Sequence, residues 1–424
     1  MTRYLLAAEA DKIQDLLFRS ARLREVVGGS QLLTRFCLDI PSKHLGVSPN
    51  NIIISDGGSF RILFDTEKDA LAFGDKLAEV YRRATGGTLS VAEPVPVNGD
   101  FNAASEQAEE NLREAKRWHE GWQEQPHLPY MAFCASCGIG LAVTYRAYHE
   151  GEEAQYLCES CLNKGSERSI GQLGEFLEGF FTEVVGEDGL KQADWPGRIK
   201  RRDRDEIDPL EDVADYDPRR YVAYLLADGN DMGKTFSACQ TPEQMRALST
   251  GLSQVVRKAL AEPTKMIMEK NPLDDRPNFI PVLPLILGGD DLFALIPVRW
   301  AIDFARQFCE TYEQEMQSLF DRIGLKDVTV PTVSATVVIC KSKHPYRLAH
   351  EAGEIRLKEA KRVGKRLFLD ANQPGSTINF EVVVGGRLVA ESPSGAMRPT
   401  LRPYWVGDNI PQGWGLPLKR LIEQ

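Results

Sequence analysis

Residues 279–297 read FIPVLPLILGGDDLFALIP, two apolar runs parted by Gly288-Gly289-Asp290-Asp291. The pattern predicts a β-hairpin with two adjacent carboxylates at its tip. The glycines permit the positive φ that a tight hairpin turn needs. Carboxylates side by side repel one another unless a cation sits between them, so the tip is a candidate divalent-metal site. Upstream, 221–227 (YVAYLLA) is a second strand-like run, and it ends in Asp228. If the two strands are neighbours, three carboxylates converge. Gly and Asp are also ordinary turn residues, so the tetrapeptide gains its weight from its flanks and from Asp228.

Around this hairpin, residues 220–371 fall into alternating elements. Thr241-Pro242 is a helix start, with Thr at the N-cap, Pro at the first helical position and Gln244 completing a capping box. That helix runs to about 269. A second helix covers 300–323, the β-branched stretch 328–340 (VTVPTVSATVVIC) reads as a strand, a third helix covers 347–363, and 366–370 reads as a closing strand. The order β-α-β-β-α-β is that of the ferredoxin-like fold, on which nucleotidyl-transferring palm domains are built.

The chemistry such a palm supports is phosphoryl displacement. Two hard cations about 3.5–4 Å apart clamp the attacking and leaving oxygens; carboxylate ligands suit Mg²⁺ or Mn²⁺. Asp228, Asp290 and Asp291 are the expected catalytic residues and ligands. The turn Gly229-Asn230-Asp231-Met232-Gly233-Lys234 could cradle phosphates with its backbone N–H groups, beside Gly288 and Gly289. Lys361 and Lys365 share a helix face by their i,i+4 spacing. They either neutralise β- and γ-phosphates or are a plain solvated face.

The chain also repeats itself. Tyr4-Leu5-Leu6-Ala7-Ala8 lines up with Tyr224-Leu225-Leu226-Ala227-Asp228, and Gly57-Gly58-Ser59-Phe60 with Gly288-Gly289-Asp290-Asp291. Ala8, Ser59 and Phe60 thus stand where the three acids stand. One copy is expected to be a catalytic palm and the other an empty one that supplies a second nucleotide pocket or a supporting face. Gly28-Gly29 is expected to break the first copy's opening helix. Ser30 would then start a new helix as an N-cap, and in an empty palm could also contact a nucleotide.

Composition sets the outer limits. The 424 residues carry a net charge of −10, which argues against a sequence-blind nucleic-acid binder. No apolar run reaches membrane-spanning length, and the first residues are too short an apolar stretch for a signal peptide. A cytosolic protein is expected. Cys134-x-x-Cys137 and Cys158-x-x-Cys161 form two knuckles, a zinc pattern in which four thiolates fill a tetrahedron and make the metal structural. Cys37, Cys239, Cys309 and Cys340 sit in apolar contexts and read as core residues. The charge-dense stretch 198–212 reads as a solvated linker, and 378–390 as one further hairpin. The expected organisation is α+β, with two ferredoxin-like palms and a four-cysteine zinc insert. The domains are a degenerate palm (1–95), a helical and zinc-binding region (96–215), a GGDD palm (216–375) and a C-terminal hairpin and tail (376–424).

These features, in this order, resemble the large palm-domain polymerase subunit of type III CRISPR–Cas effector complexes. Lys12-Ile13-Gln14, Leu23-Arg24-Glu25 and Gly28-Gly29-Ser30-Gln31-Leu32-Leu33 are similar to its first palm; the zinc knuckles follow. Ala227 to Lys234 and the GGDD turn are similar to its second palm. Lys343-His344-Pro345 and Glu359-Ala360-Lys361 through Lys365 are similar to its closing segment. The resemblance implies joining of ATP by 3′–5′ bonds into cyclic oligoadenylates, second messengers of antiviral defence. One ATP would sit at the three acids and one on the first palm. It also implies effector subunits and guide or target RNA as partners. The sequence has no His-Asp dipeptide, so a form without the family's HD nuclease domain is expected. Two other readings remain at this level: a non-catalytic scaffold of an RNA-guided ribonucleoprotein, and a cyclic-dinucleotide synthase using another nucleotide.

Overall fold

A computed structural model describes residues 2–20, 22–119, 130–147, 153–166, 175–198, 208–270, 273, 276–325, 328–371, 374–383, 402–407 and 418. The chain forms two compact units, 1–176 with 236–250 and 177–235 with 251–424.

In the first unit, β1 (Arg3–Ala10) leads to α1 (Ile13–Phe18) and α2 (Leu23–Asp39). The hairpin β2 (Ile52–Asp56) and β3 (Ser59–Phe64) follows, then α3 (Glu67–Thr85), β4 (Leu89–Val91), β5 (Val95–Val97) and α4 (Phe101–His119). The sheet order is β2-β3-β1-β4, with β5 also on β1. The stripe Ala70, Phe73, Leu77 and Tyr81 of α3 is buried in one cluster with Leu6, Phe60 and Ile62 of the sheet. Each large apolar side chain among them contributes roughly 1.5–3 kcal/mol by leaving water. Thr66 caps α3 through the Asp69 N–H at 3.1 Å, and Gly86, at φ 71°, ends it. The zinc knuckles lie around β6 (Thr144–Arg146) and β7 (Gln155–Leu157), an antiparallel pair, and α5 (Glu159–Ser166).

The second unit holds α6 (Glu175–Leu190), α7 (Pro209–Ala214), β8 (Tyr221–Gly229) and the start of α8 (Met232–Ser237). After α9 (Pro242–Lys270), which begins in the first unit, come β9 (Leu283–Gly288), β10 (Asp291–Pro297), α10 (Ala301–Ile323), β11 (Val333–Lys341), α11 (Tyr346–Ala371), β12 (Thr377–Val382) and β13 (Tyr404–Trp405). Its sheet runs β13-β12-β11-β8-β10-β9. The four strands β11-β8-β10-β9 repeat the order β4-β1-β3-β2 of the first unit. Both are the ferredoxin-like arrangement, so the repeat in the sequence is a repeat of fold. β8 is central and apolar along nearly its whole length because α10 and α11 cover it, as expected of a strand in a covered sheet.

Two expectations are corrected. α2 passes unbroken through Gly28, Gly29 and Ser30. Gly29 serves contact instead: a Cβ there would lie 2.6 Å from Leu17 Cδ2 and 3.1 Å from Lys164 Cδ. Residues 366–370 are the last turns of α11, not a strand. The strand after α11 is β12, parallel to β11 and extending the second sheet. Residues 384–390, the expected second arm of a C-terminal hairpin, lie outside the described residues, as do 199–207 of the charged stretch.

Candidate active site

The acids meet because of strand register. β10 runs antiparallel to β8 with Leu292 opposite Ala227; one step further along that ladder, Asp291 stands beside Asp228. On its other side Asp228 pairs with Ser334 of β11. Gly288 pairs with Asp291 across the hairpin, which leaves Gly289 and Asp290 as the two turn residues. Gly289 has φ 59°. Asp290 is held against Gly229, where an added Cβ would lie 3.0 Å from Asp290 Oδ2 and 2.6 Å from Met232 Cγ. A side chain at 229 would crowd Met232 first and the carboxylate of Asp290 next.

The electrostatics are those of crowded, desolvated anions. Removal from water, then the charge of Asp228, pushes the Asp291 carboxyl up to about 7; Lys361 opposes the rise and Glu354 adds to it. Asp290 is raised well above the usual carboxylate range, first by burial, then by Asp228 and Asp291. The phenol of Tyr312 is raised by burial and by Asp290 and Asp228, and its hydroxyl lies 3.9 Å from Met232 Sδ. The counter-charge is Lys361, whose ammonium pairs with Oδ2 of Asp228.

Lys361 also lines a cavity of about 340 Å³, together with Gly229, Asn230, Asp231, Gly364 and Lys365. That is the lower end of the range for small-ligand pockets, about 300–1,000 Å³. Pro331 keeps 328–332 out of β11, and these residues form the cavity's rim. Asn230 is fixed by three bonds. Its N–H donates to Thr332 O at 2.8 Å, its amide donates to Thr332 Oγ1 at 2.9 Å, and it accepts from Ser334 Oγ at 2.9 Å. The Thr377 hydroxyl lies 3.0 Å from Ser334 Oγ and 3.1 Å from Ala360 O and has one proton to share between them. This hydroxyl chain ties the turn after β8 to α11. Asp231, at φ 56°, pairs with Lys234 at 3.0 Å.

The structure therefore brings Asp228, Asp290, Asp291, Gly229, Gly288, Gly289 and Lys361 to one corner, and Asn230, Asp231 and Lys365 to the adjoining cavity. Ser30 is not where a helix start would put it. It is buried in the interior of α2, so it caps no helix end. Sequence reasoning missed Glu354, Tyr312 and the chain Thr332–Ser334–Thr377. The signal for the last was present: Thr332, Ser334 and Thr336 alternate in an otherwise apolar run, the period of one strand face.

The acids fit a hard divalent cation by their chemistry: carboxylates partly withdrawn from water, repelling one another and short of positive charge. They are not drawn as tight as the second cluster. Among the described residues, the four cysteines are the one group of three or more such side chains whose donor atoms all lie within 4.8 Å of one another. Cys137 and Cys158 sulfurs stand 3.8 Å apart, the edge of a tetrahedron with Zn–S bonds of about 2.3 Å. Backbone N–H groups of Gly140 and Cys161 donate to Cys137 and Cys158 sulfurs at 3.3 and 3.5 Å. The four-cysteine cluster fits structural zinc.

Two ferredoxin-like sheets of one order, one of them carrying an acidic hairpin tip beside a ligand-sized cavity, define a protein of the palm-domain class. Residues 221–368, from β8 to near the end of α11, match the family model of Cas10/Cmr2, second palm domain. No curated protein matches the chain. Csm1 of T. onnurineus shares 16% identity with it, over 89% of this chain and 53% of that one, at a TM-score of 0.53. The Csm1–Csm4 cassette in complex with cA4 shares 16%, over 92% of this chain and 56% of that one, at 0.54. The cassette with AMPPNP shares 16%, over 86% and 53%, at 0.53. At such identity the likeness is one of fold. The chain spans about half the length of the solved structures it matches. No helix among the described residues is long and apolar enough to cross a membrane.

Proposed function

We propose that the chain is a metal-dependent nucleotidyltransferase of the cyclic oligoadenylate synthase type, joining ATP by 3′–5′ phosphodiester bonds. The observation that carries this reading is the shared position of Lys361, in contact with Asp228 and in the wall of the adjoining cavity. One side chain thereby links a cluster of acids to a pocket of nucleotide-binding size. Related folds supply the substrate class: structures of the Csm1–Csm4 cassette hold AMPPNP, pppApA, cA3 and cA4.

In this reading Asp228, Asp290 and Asp291 would hold Mg²⁺ or Mn²⁺, which when bound would favour the 3′-alkoxide and neutralise the triphosphate. The chain's own groups do the rest. Asn230, fixed by Thr332 and Ser334, and the turn N–H groups orient the ATP. Lys361 and Lys365 accept the charge of its β- and γ-phosphates. The hairpin tip is half-buried, which thins the water around the acids. The first unit, with Ala8, Ser59 and Phe60 at the matching positions, would hold a second ATP without activating it. The four cysteines would hold zinc as a staple. Effector subunits of the kind seen in the type III-A Csm interference complex, with their guide and target RNA, are the proposed partners, in the cytoplasm.

The test is incubation with each nucleoside triphosphate and Mn²⁺ or Mg²⁺, with products read by mass spectrometry. Pyrophosphate and cyclic oligoadenylates are expected from ATP. Products that persist after Asp290→Ala with Asp291→Ala would overturn the assignment.

A further inference from the structure

We propose that Lys361 couples metal binding to nucleotide binding: its ammonium holds the cation position at Asp228 until a metal–triphosphate complex draws it onto phosphate. This rests on the nucleotidyltransferase reading of the site and concerns how that site is loaded.

The geometry separates Lys361 from its neighbour. Lys361 and Lys365 lie one turn apart on α11 and line the same cavity. Of the two, Lys361 alone pairs with an acid of the cluster, Oδ2 of Asp228. Helical side chains point back toward the helix N-terminus, which aims Lys361 at the hairpin tip and leaves Lys365 over the cavity. Around the contact stand four acids, Asp228, Asp290, Asp291 and Glu354, with Lys361 and Lys358 as the opposing cations.

A lone divalent cation must displace an ammonium tethered beside its ligand, and a tethered group acts at an effective concentration in roughly the millimolar range. A cation that arrives with a triphosphate brings the displaced ammonium a new anionic partner in the cavity Lys361 already lines. Metal and nucleotide then favour each other's binding, and the coupling is reciprocal by linkage. The arrangement disfavours metal loading without substrate.

The experiment uses the full zinc-loaded chain and three forms: wild type, Lys361→Met and Lys361→Arg. Lys361 is about one-third exposed, and circular dichroism and melting check that each variant folds. Mn²⁺ alone is titrated by electron paramagnetic resonance, and AMPPNP binding is measured by equilibrium dialysis with and without Mn²⁺. Lys361→Met is expected to bind Mn²⁺ alone about tenfold more tightly, inside the roughly 5–150-fold usual for coupled sites. It should also lose most of the Mn²⁺-dependent gain in AMPPNP affinity, and Lys361→Arg should keep the wild-type coupling. Unchanged or weaker binding of Mn²⁺ alone by Lys361→Met would overturn the proposal and leave Lys361 a plain phosphate contact. An Asp290→Asn with Asp291→Asn control separates the two levels: if it leaves Mn²⁺ binding intact, the site reading itself fails.

Discussion

Ala8 faces Phe60 across the first sheet, at the place where Asp228 stands beside Asp291 in the second. The register of the two ladders is the same, Ala7 opposite Arg61 in one and Ala227 opposite Leu292 in the other. What differs is the turn. In the first unit Gly57 and Gly58 both have positive φ, 56° and 80°, and Ser59 is already paired with Asp56. In the second the turn sits one residue later, so that Asp290 is freed from the ladder. Three side chains and a one-residue slide separate an acidic tip from an empty one. Ala8 is fully buried, and its strand neighbours across the ladder, Phe60 and Val91, offer no cation. Ala8→Asp is expected to destabilise the first unit by about 3–5 kcal/mol, the usual cost of a buried charge without a partner. Calorimetry with separate transitions checks this; a loss under about 1 kcal/mol, the scale of an exposed substitution, would show that water or a cation reaches the empty site.

A second expectation follows from proton linkage at the hairpin tip. Asp291 is raised from 3.8 to about 7 in the folded chain. A raised carboxyl binds its proton more readily folded than unfolded, so its penalty is absent below about pH 3.8 and grows as pH rises toward 7. In Mg²⁺- and Mn²⁺-free buffer, Asp291→Asn should therefore stabilise the chain by ~1–3 kcal/mol at about pH 7.5. Each pH step between the unfolded and folded values is worth about 1.4 kcal/mol, discounted for partial exposure. The gain should fade toward about pH 4. Melting curves across that range measure it, and a gain independent of pH would place the effect in packing.

Gly229→Ala tests positioning. Its Cβ would meet Met232 Cγ and Asp290 Oδ2. Met232 meets it at a mid-chain carbon of a buried side chain and must shift, and Asp290, in a two-residue turn, gives way together with the hairpin tip. Displacement by about an ångström costs up to ~100-fold in rate. A loss of oligoadenylate synthesis of about 10–100-fold is expected, with melting shifted by less than about 3 °C. An equal loss of stability and rate would mean that β8 itself is disrupted.

Much of this was legible in the sequence because strands carry their register in apolar alternation. YVAYLLAD and FIPVLPLILGGDDLFALIP announce two neighbouring strands with acids at adjoining ends, and the cysteine spacing announces its cluster. What was not legible depends on contacts made across long separations. Gly28-Gly29 reads as a break by propensity, yet in α2 Gly29 lets Leu17 and Lys164 approach. Residues 366–370 read as a strand by their apolar run, but α11 continues through them because its earlier turns are packed on β11 and β12. Glu354 looks like any charged helix residue until α11 is laid against the hairpin. Ser30 reads as a helix N-cap by its neighbours in sequence, but it lies buried inside α2.

Removal of the zinc ligands tests the staple. α5 begins inside the second knuckle, at Glu159, and it buries Lys164 against the first sheet's helices. That ammonium donates to Leu16 O at 2.6 Å and Ser20 Oγ at 3.0 Å. Asn163 donates to Ala84 O at 2.8 Å, and Ser136 of the first knuckle bonds Glu25 of α2. A tetrahedron of sulfur thus anchors polar contacts that a loose loop would not hold in place. Wild-type protein should carry about one zinc ion per chain by elemental analysis. Cys158→Ser should lose it and lower the first unit's melting temperature. Cys37→Ala should retain the metal, since burial pushes the Cys37 thiol up to about 12 and leaves it a packed core group. Zinc retained by Cys158→Ser at wild-type stoichiometry would show that the cluster is not the site.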